Sequence, residues 1–591
     1  MKMKRLLPII LIALLLVPVV GWATTYTVCS SGCDYTSIQA VFDNEDLEPG
    51  DIIEVRADTV GGTKTYTEKV SVTNTDGGSA AGYVTLRGRD GDTIIISVIQ
   101  EIKDSSGNLW NSASVTWTEE TGVGSNIWSA PNMCGSNLET PEKLYLDNVL
   151  YARAIFASDI DSTERWYYDA TNDVLYVYAT SNPKTFYSSM KGSLEKAAVE
   201  LTGVQYFKLE NLQLDGGYYG SLRILGGDHI VVSNCKMGIG SRYGISTKPD
   251  GTSPVSYLHI FNNEIVTDNP PTLGDNEQVT DGVRLYRAAN HVYIHDNTIK
   301  NFEHTGIMLY SDDNTYDGIK YNYIYNNDLS SPDSGYCHLL DVYGVDDGSG
   351  GSTVHHNYIH ANRFHNAQGR IQFGGQYNYF YYNMIEDITN TNVVGKTGIA
   401  QGLAFAAWSG LADCKYNHVV NNTFINCDEA GISTEDVSVN ISNNVVSNNI
   451  VYNCGLDSDV GLNDIGIRIK SDTTVANNEW KNNCVYKSGV TNVVSYRGTT
   501  MSVVNWNTSD SNGDTIEGNI QSDPFLSPNS PCIDAGVKIA GIHDQADWQD
   551  LGGNMIHYGR APDIGAYEAV TDVATAWGML PWYGRKYCVR W

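Results

Sequence analysis

The segment His291–Tyr310 reads HVYIHDNTIKNFEHTGIMLY, short apolar–polar alternations interrupted first by Asp-Asn and then by Gly. Alternation over so few residues predicts strands with one buried face. A hairpin would show Asn-Gly and a single reversal, whereas this segment bends twice and continues. The cadence recurs in LENLQL, SNCKM, FNNEI, HDNTI, KYNYI, HHNYI, YYNMI, VNNTFI, SNNIV and KNNCV. Aligned on it, Asn211, Asn234, Asn263, Asn297, Asn322, Asn357, Asn383, Asn422, Asn449 and Asn483 fall in phase, with gaps of 23 to 39 residues. An irregular period of about 30 residues signals a solenoid whose rungs carry loops of different length. Each rung reads as strand, Asn bend, strand, looser turn and a Gly-led strand, the last seen in YGISTK, DGVRLY, TGIMLY, GRIQF, AGISTED and IGIRIK. Three short strands per turn, stacked into three parallel sheets, bury every second residue. Asn suits the bend because it tolerates left-handed backbone, and its amide can bond the Asn one rung away. A leucine-rich repeat would have a shorter period with regular Leu, a propeller four antiparallel strands per blade, and a helical solenoid a 3.6-residue amphipathic period; none fits.

These motifs resemble the right-handed parallel β-helix of the pectate-lyase-like superfamily. The resemblance covers residues 201–510 as the main helix and implies an all-β fold, a three-sheet solenoid; it is specific for fold and says little of function. The flanks are consistent with it. Residues 24–100 hold YTSIQAVFDNEDLEPGDIIEV, a short amphipathic helix, a turn and a first strand, which reads as an N-terminal cap followed by the first rungs. Residues 101–200 break the rhythm with KLYLDNVLYARAIF and RWYYDATNDVLYVYAT, alternating aromatic hairpins that predict a small inserted antiparallel module. In residues 511–570, SPNSPCIDAGV and GRAPDIGAYEAV resemble a C-terminal module of secreted and surface-anchored β-helix proteins, and residues 571–591 form an aromatic tail.

Charge narrows the partners. The 591-residue chain has 38 basic and 68 acidic residues, a formal net charge of −30, which excludes a nucleic-acid partner. It suits a neutral partner, or an anionic one met through a local basic patch or a bound cation. Lys2, Lys4 and Arg5 precede LLPIILIALLLVPVV and then GWA. This reads as a secretory signal peptide over residues 1–23, cleaved after Ala23, because the run is short for a membrane anchor. The expectation is a monomeric chain, secreted or at the cell surface, with no transmembrane segment once mature. Among 11 Cys, Cys29 and Cys33 can close a small loop. Cys427 and Cys454 each follow an in-phase Asn by five residues and are predicted to stack within disulfide reach, with interior thiols as the alternative.

Candidate chemistry lies on the Gly-led sheet, along which related β-helix enzymes place substrate. Alternation sends Val283, Leu285, Ile307, Leu309, Leu340 and Val342 inward, and Arg284, Tyr286, Met308, Tyr310, Asp341 and Tyr343 outward. Tyr286, Tyr310 and Tyr343 then form a column on successive rungs about 4.8 Å apart. Arg370, Gln372, Trp408, Glu435, Arg468 and Lys470 also face out. An aromatic column flanked by Arg and Asp suits a polysaccharide; a self-stacking ladder is the alternative. The expected catalytic residues are Asp341, Arg370 and Arg284, with Tyr286, Tyr310, Tyr343, Trp408, Arg468 and Lys470 binding substrate. The GIRIK segment resembles the Arg-Ile-Lys element of the polygalacturonase family, which implies substrate-carboxylate binding by Arg468 and Lys470. The Asn-Thr-Asp and Gly-His-Gly elements of that family are absent, which sets hydrolysis behind β-elimination. Asp312, Asp313, Asp346 and Asp347, with Glu435, Asp436 and Asp472, either gather oxygens around Ca2+ or serve as solvated turn residues. His355, His356, His360 and His365 read as polar ladder or loop residues, because alternation scatters them over opposite faces. The sequence thus points to an exported polysaccharide-binding protein, a polysaccharide lyase ahead of a glycoside hydrolase. A non-catalytic surface or adhesion protein is the rival reading.

Overall fold

The structure, a computed structural model, describes residues 23–133, 143–154, 156–193, 195–239, 241–267, 280–332, 337–389, 400–405, 411–434, 440–456, 465–470, 474–509, 513–521, 532, 535–536, 538 and 563–565. Residues 1–22, Trp408, Glu435, Asp436, Asp472, residues 571–591 and most of residues 511–570 lie outside the described residues.

Three parallel sheets of 17, 13 and 12 strands run the length of the solenoid. Their registers step in parallel from rung to rung, as in Ile294↔Ile324 and Ile324↔Ile359, and reverse only where Thr499–Met501 closes the 13-stranded sheet antiparallel to Val494–Tyr496. Alternation places those residues inward, and the core they build is one cluster from Val28 to Ile516. The helix Gln39–Asn44 turns Val41 and Phe42 over its open end. Between Ile99–Glu101 and Met190–Ser193 the chain leaves the solenoid for an eight-stranded, mostly antiparallel sheet. This inserted module has its own core, including Trp110 and Trp166. No described helix is long and apolar enough to cross a membrane.

The ten in-phase Asn residues do not form one column. They separate into three, because the bend motif occurs twice per rung, five residues apart. One buried ladder runs Asn263, Asn297, Asn327, Asn362, Asn383, Asn422, Asn449, Asn483 and Asn519, each accepting through Oδ1 from the main-chain N–H one rung before. A second, parallel ladder runs Asn322, Asn357, Asn378, Asn417, Asn444 and Asn478. Asn322 and Asn357 belong to this second ladder. Asn211 and Asn234 belong to neither; they occupy the left-handed bend beside the first ladder, at φ 55° and 53°.

The Gly-led strands also have a physical cause. A Cβ on Gly282 would lie 2.4 Å from Ile299 Cγ2, and one on Gly306 2.8 Å from Leu329 Cδ2. Glycine therefore stands where the entry to the 13-stranded sheet presses against core side chains of the 12-stranded sheet. Of the cysteines, Cys29 and Cys33 are disulfide-bonded. Cys427 and Cys454 are buried thiols that donate to the carbonyls of Ile425 and of Phe424 and Tyr452, the interior-thiol alternative. His356 stacks on Tyr377 and meets Tyr321 at a tilt of 40°, and His360 stacks between Tyr325 and Tyr381, as ladder residues. Of the C-terminal module, Ile564 and Cys532 pack on Ile450 and Cys484, and Gly565 N–H donates to Asn448 O at 2.8 Å.

Candidate functional site

Strict alternation fails at the Gly column, and the site depends on that failure. Gly306 and Ile307 both turn inward, as do Leu339 and Leu340, so the residues on either side both face out. The 13-stranded sheet thereby presents three outward columns. Tyr243, Asp281, Thr305, His338 and Arg370 are in register in the first. Ser246, Arg284, Met308, Asp341 and Gln372 form the second. Tyr286, Tyr310 and Tyr343 form the third, the expected aromatic column.

Two His–Asp pairs sit on adjacent rungs. His338 Nδ1 lies 2.5 Å from Asp341 Oδ1, and His304 Nδ1 lies 2.8 Å from Asp281 Oδ1. The two imidazole centroids are 6.2 Å apart. Asp341 Oδ2 also accepts from Thr305 Oγ1 at 2.9 Å. The environments push the two imidazoles in opposite directions. Burial dominates at His338 and lowers its pKa, keeping the ring neutral despite Asp341. At His304 burial also acts to lower the pKa, but the Asp281 carboxylate outweighs it and the pKa is raised. Burial acts to raise Asp341, yet His338, His304 and the Thr305 hydroxyl hold it below the usual carboxylate range. The His338 side chain is 5% exposed and the His304 side chain 30%.

Beside these pairs lies a surplus of donors. Arg370 Nε, Gln372 Nε2 and Arg284 Nε are buried atoms that meet no acceptor among the described residues. Arg370 Nη2 reaches Gln372 Oε1 at 3.4 Å, and Arg284 Nη1 donates to the Tyr243 hydroxyl at 2.6 Å. Buried guanidinium and amide N–H groups left unmatched are costly, and an anionic ligand would satisfy them.

The aromatic column is tilted rather than flat-stacked. Tyr286 and Tyr310 centroids are 5.8 Å apart at 34°, and Tyr310 and Tyr343 4.8 Å apart at 46°. Asp312 anchors its outer end, accepting from Tyr286 Oη at 2.7 Å and Arg287 Nε at 2.8 Å. Burial and the Asp312 carboxylate push the Tyr286 phenol up to about 12. Asp313 accepts from Thr315 N–H, Asp346 from Gly348 N–H, and Asp347 from Ser349 and Gly351 N–H. These three carboxylates cap turns. Among the described residues no group of three or more His, Cys, Asp or Glu side chains converges as a metal site.

The expected residues fare unequally. Arg284, Asp341, Arg370 and the three tyrosines come together. Asp341 and Arg370 point outward but are covered, 1% and 7% exposed, because side chains of the flanking columns close over them. Arg468 shares the Asp341 column four rungs further on, roughly 19 Å away at the ordinary strand spacing. Lys470, two residues beyond Arg468, is likewise remote from the His–Asp pairs. Sequence reasoning missed His304, His338 and Asp281. Placing Leu339 under Gly282 and Gly306 would have revealed them, since the double inward step brings His338 onto the face of Asp341.

No family model and no curated protein matches the chain. Among solved structures it is similar to XylC in complex with xylose, at 13% identity over 85% of this chain and 87% of that one, with a TM-score of 0.41. It is similar to pectate lyase Pel9A at 13% identity over 92% and 96%, TM-score 0.39. It is also similar to PfbA, a surface adhesin of Streptococcus pneumoniae, at 13% identity over 79% and 90%, TM-score 0.37. The strand topology of the chain itself, three parallel sheets wound rung on rung, is a parallel β-helix.

Proposed function

We propose that the outward face of the 13-stranded sheet binds an acidic polysaccharide and cleaves it by β-elimination, in a protein exported by its N-terminal signal segment. The observation that supports this most is the set of unmatched buried donors on Arg284, Arg370 and Gln372 beside two His–Asp pairs. A uronate carboxylate supplies the missing acceptors. In a chain of net charge −30, Arg284 and Arg370, three rungs apart on this face, supply the local positive charge an anionic polymer requires, while Arg287 is held by Asp312.

The chemistry follows from the opposed imidazoles. Neutral His338, oriented by Asp341, removes the proton beside the carboxylate. Arg370 and Gln372 stabilise the negative charge that develops on the carboxylate oxygens. The bond to the leaving sugar oxygen then breaks and its electron pair departs with that oxygen, while the former C–H pair forms the carbon–carbon double bond. Protonated His304 supplies a proton to the leaving oxygen. A lowered base and a raised acid are the pairing such a step needs near neutral pH. Hydrolysis would require one carboxyl kept protonated as an acid. Asp341 is instead held as the anion, and Asp281 is engaged by His304.

The test is incubation with a panel of purified acidic and neutral polysaccharides. New ultraviolet absorbance from an unsaturated product, lost in His338→Ala and Arg370→Met, is expected. New reducing ends without that absorbance would make the protein a hydrolase, and retention without products a binder. Either result overturns the proposal.

A further inference from the structure

The 17-stranded sheet has an outward face as distinctive as the catalytic one. His259, Tyr293, Tyr323, Tyr358, Tyr379 and His418 lie in one column, with centroids 4.5–5.1 Å apart and planes within 15° of parallel. Beside it runs a second column in which Tyr257, Tyr321, Tyr377 and Tyr416 are 41, 37, 40 and 40% exposed. Those four tyrosines sit at φ 48°, 57°, 54° and 58°. Bulky side chains rarely adopt left-handed backbone, which costs roughly 1 kcal/mol or more per residue. The equivalent bend five residues later is filled mainly by Asn, as at Asn211, Asn234, Asn262 and Asn326. A fold requirement alone would fill both bends alike, so a repeated outlier in one of them points to a surface role.

Stacked rings cover one another's faces and turn their edges outward. The face is therefore not a platform for sugar rings to stack on; it is a set of parallel rows of phenol hydroxyls at the rung spacing. The hydroxyls of Tyr293, Tyr323, Tyr379, Tyr321 and Tyr377 meet no hydrogen-bond partner among the described residues. Between His259 and His418 neither column contains Lys, Arg, Asp or Glu, and the bordering Lys320 and Lys415 are neutralised by Asp317 and Asp413, so the face suits an uncharged partner. With a third stacked column of Phe261, His295, Tyr325, His360 and Tyr381 it spans roughly 400 Å2 at ordinary strand spacings, about half of the 800 Å2 per partner that a stable protein contact needs. That disfavours a second copy of the chain.

We infer that this face adsorbs an extended, uncharged polysaccharide whose chains lie along the solenoid axis. One sugar residue of an extended chain advances by about one rung, so each residue meets one tyrosine hydroxyl per column. A coiled glucan loses that match. The inference is independent of the elimination chemistry on the other sheet. It assigns the molecule a neutral anchoring surface distinct from its acidic-substrate face.

The experiment is a depletion assay of the full chain against microcrystalline cellulose, with cross-linked amylose as the coiled control. The variant is Y293F/Y323F/Y379F/Y321F/Y377F, which keeps the rings stacked and removes only hydroxyls. Expected are wild-type adsorption to cellulose well above amylose, a loss of tenfold or more in the variant, and an unchanged unfolding transition. The variant should also retain full turnover of whichever soluble acidic polysaccharide the wild type cleaves. No wild-type preference for cellulose, or undiminished adsorption by the variant, would overturn the inference. Neither result bears on His338 or Arg370.

Discussion

Replacing Asn322 by Ala probes the second Asn ladder where its bonds are best defined. Asn322 Oδ1 accepts from Val292 N–H at 2.9 Å, and its Nδ2 donates to Ala289 O at 3.1 Å and Asn357 Oδ1 at 2.8 Å. Asn322, Val292 and Ala289 are all 0% exposed, so water cannot replace the lost amide. An orphaned buried donor or acceptor costs about 1–3 kcal/mol. The Val292 N–H bears that cost fully and the Ala289 carbonyl in part, giving about 2–4 kcal/mol in all. The control is Asn211→Ala: Asn211 donates only to Asp90 at an exposed edge, and losing its left-handed preference costs about 1 kcal/mol. Urea unfolding midpoints compare the two variants, and hydrogen exchange at the Val292 amide reads the local break without assuming two-state behaviour. Equal midpoint shifts in both variants, or undiminished protection at Val292, would refute the division of the Asn residues into buried ladders and an outer bend.

The opposed imidazole shifts predict a bell-shaped pH dependence of kcat/KM on an acidic polysaccharide. The limb set by His338 falls below the ordinary imidazole value of about 6.5, and the limb set by His304 above it; His304→Gln should remove the alkaline limb alone, and a profile with one limb in the wild type would contradict the assignment. Burial lowers His355 to about 4 and His360 to about 3. Below about 6.5 the unfolded chain therefore binds protons that these rings refuse when folded, so stability should fall as pH drops from 6.5 towards 3. Urea midpoints measured across that range should decline, less so in His360→Gln, and flat midpoints would exclude the mechanism. Thiol labelling should leave Cys427 and Cys454 unmodified in the native protein and modify both on unfolding, with Cys29 and Cys33 still bonded; a peptide linking Cys427 to Cys454 would contradict the structure.

Much of this was legible in the sequence because solenoid rungs repeat the same local physics. The inward set Val283 to Val342, the aromatic column and the terminal helix all follow from alternation and turn residues. The errors have a common origin in spacing. Asn322 and Asn327 are five residues apart in one rung, so an alignment on single Asn residues slips from one ladder to the other. His338 stayed hidden because strict alternation places it with Leu340, and only the Gly column's double inward step brings it beside Asp341. Burial of Asp341 and Arg370 was not legible, since facing out of a sheet does not specify how closely neighbouring columns pack over it.

The central claim is that the buried donors beside the two His–Asp pairs receive a sugar carboxylate. A crystal structure of His338→Ala with a bound acidic oligosaccharide tests it most directly. The account predicts a carboxylate against Arg370 and Gln372, with flanking sugars along Tyr286, Tyr310 and Tyr343. An oligosaccharide bound elsewhere, or on this face with its carboxylates turned away from Arg370 and Gln372, would contradict it.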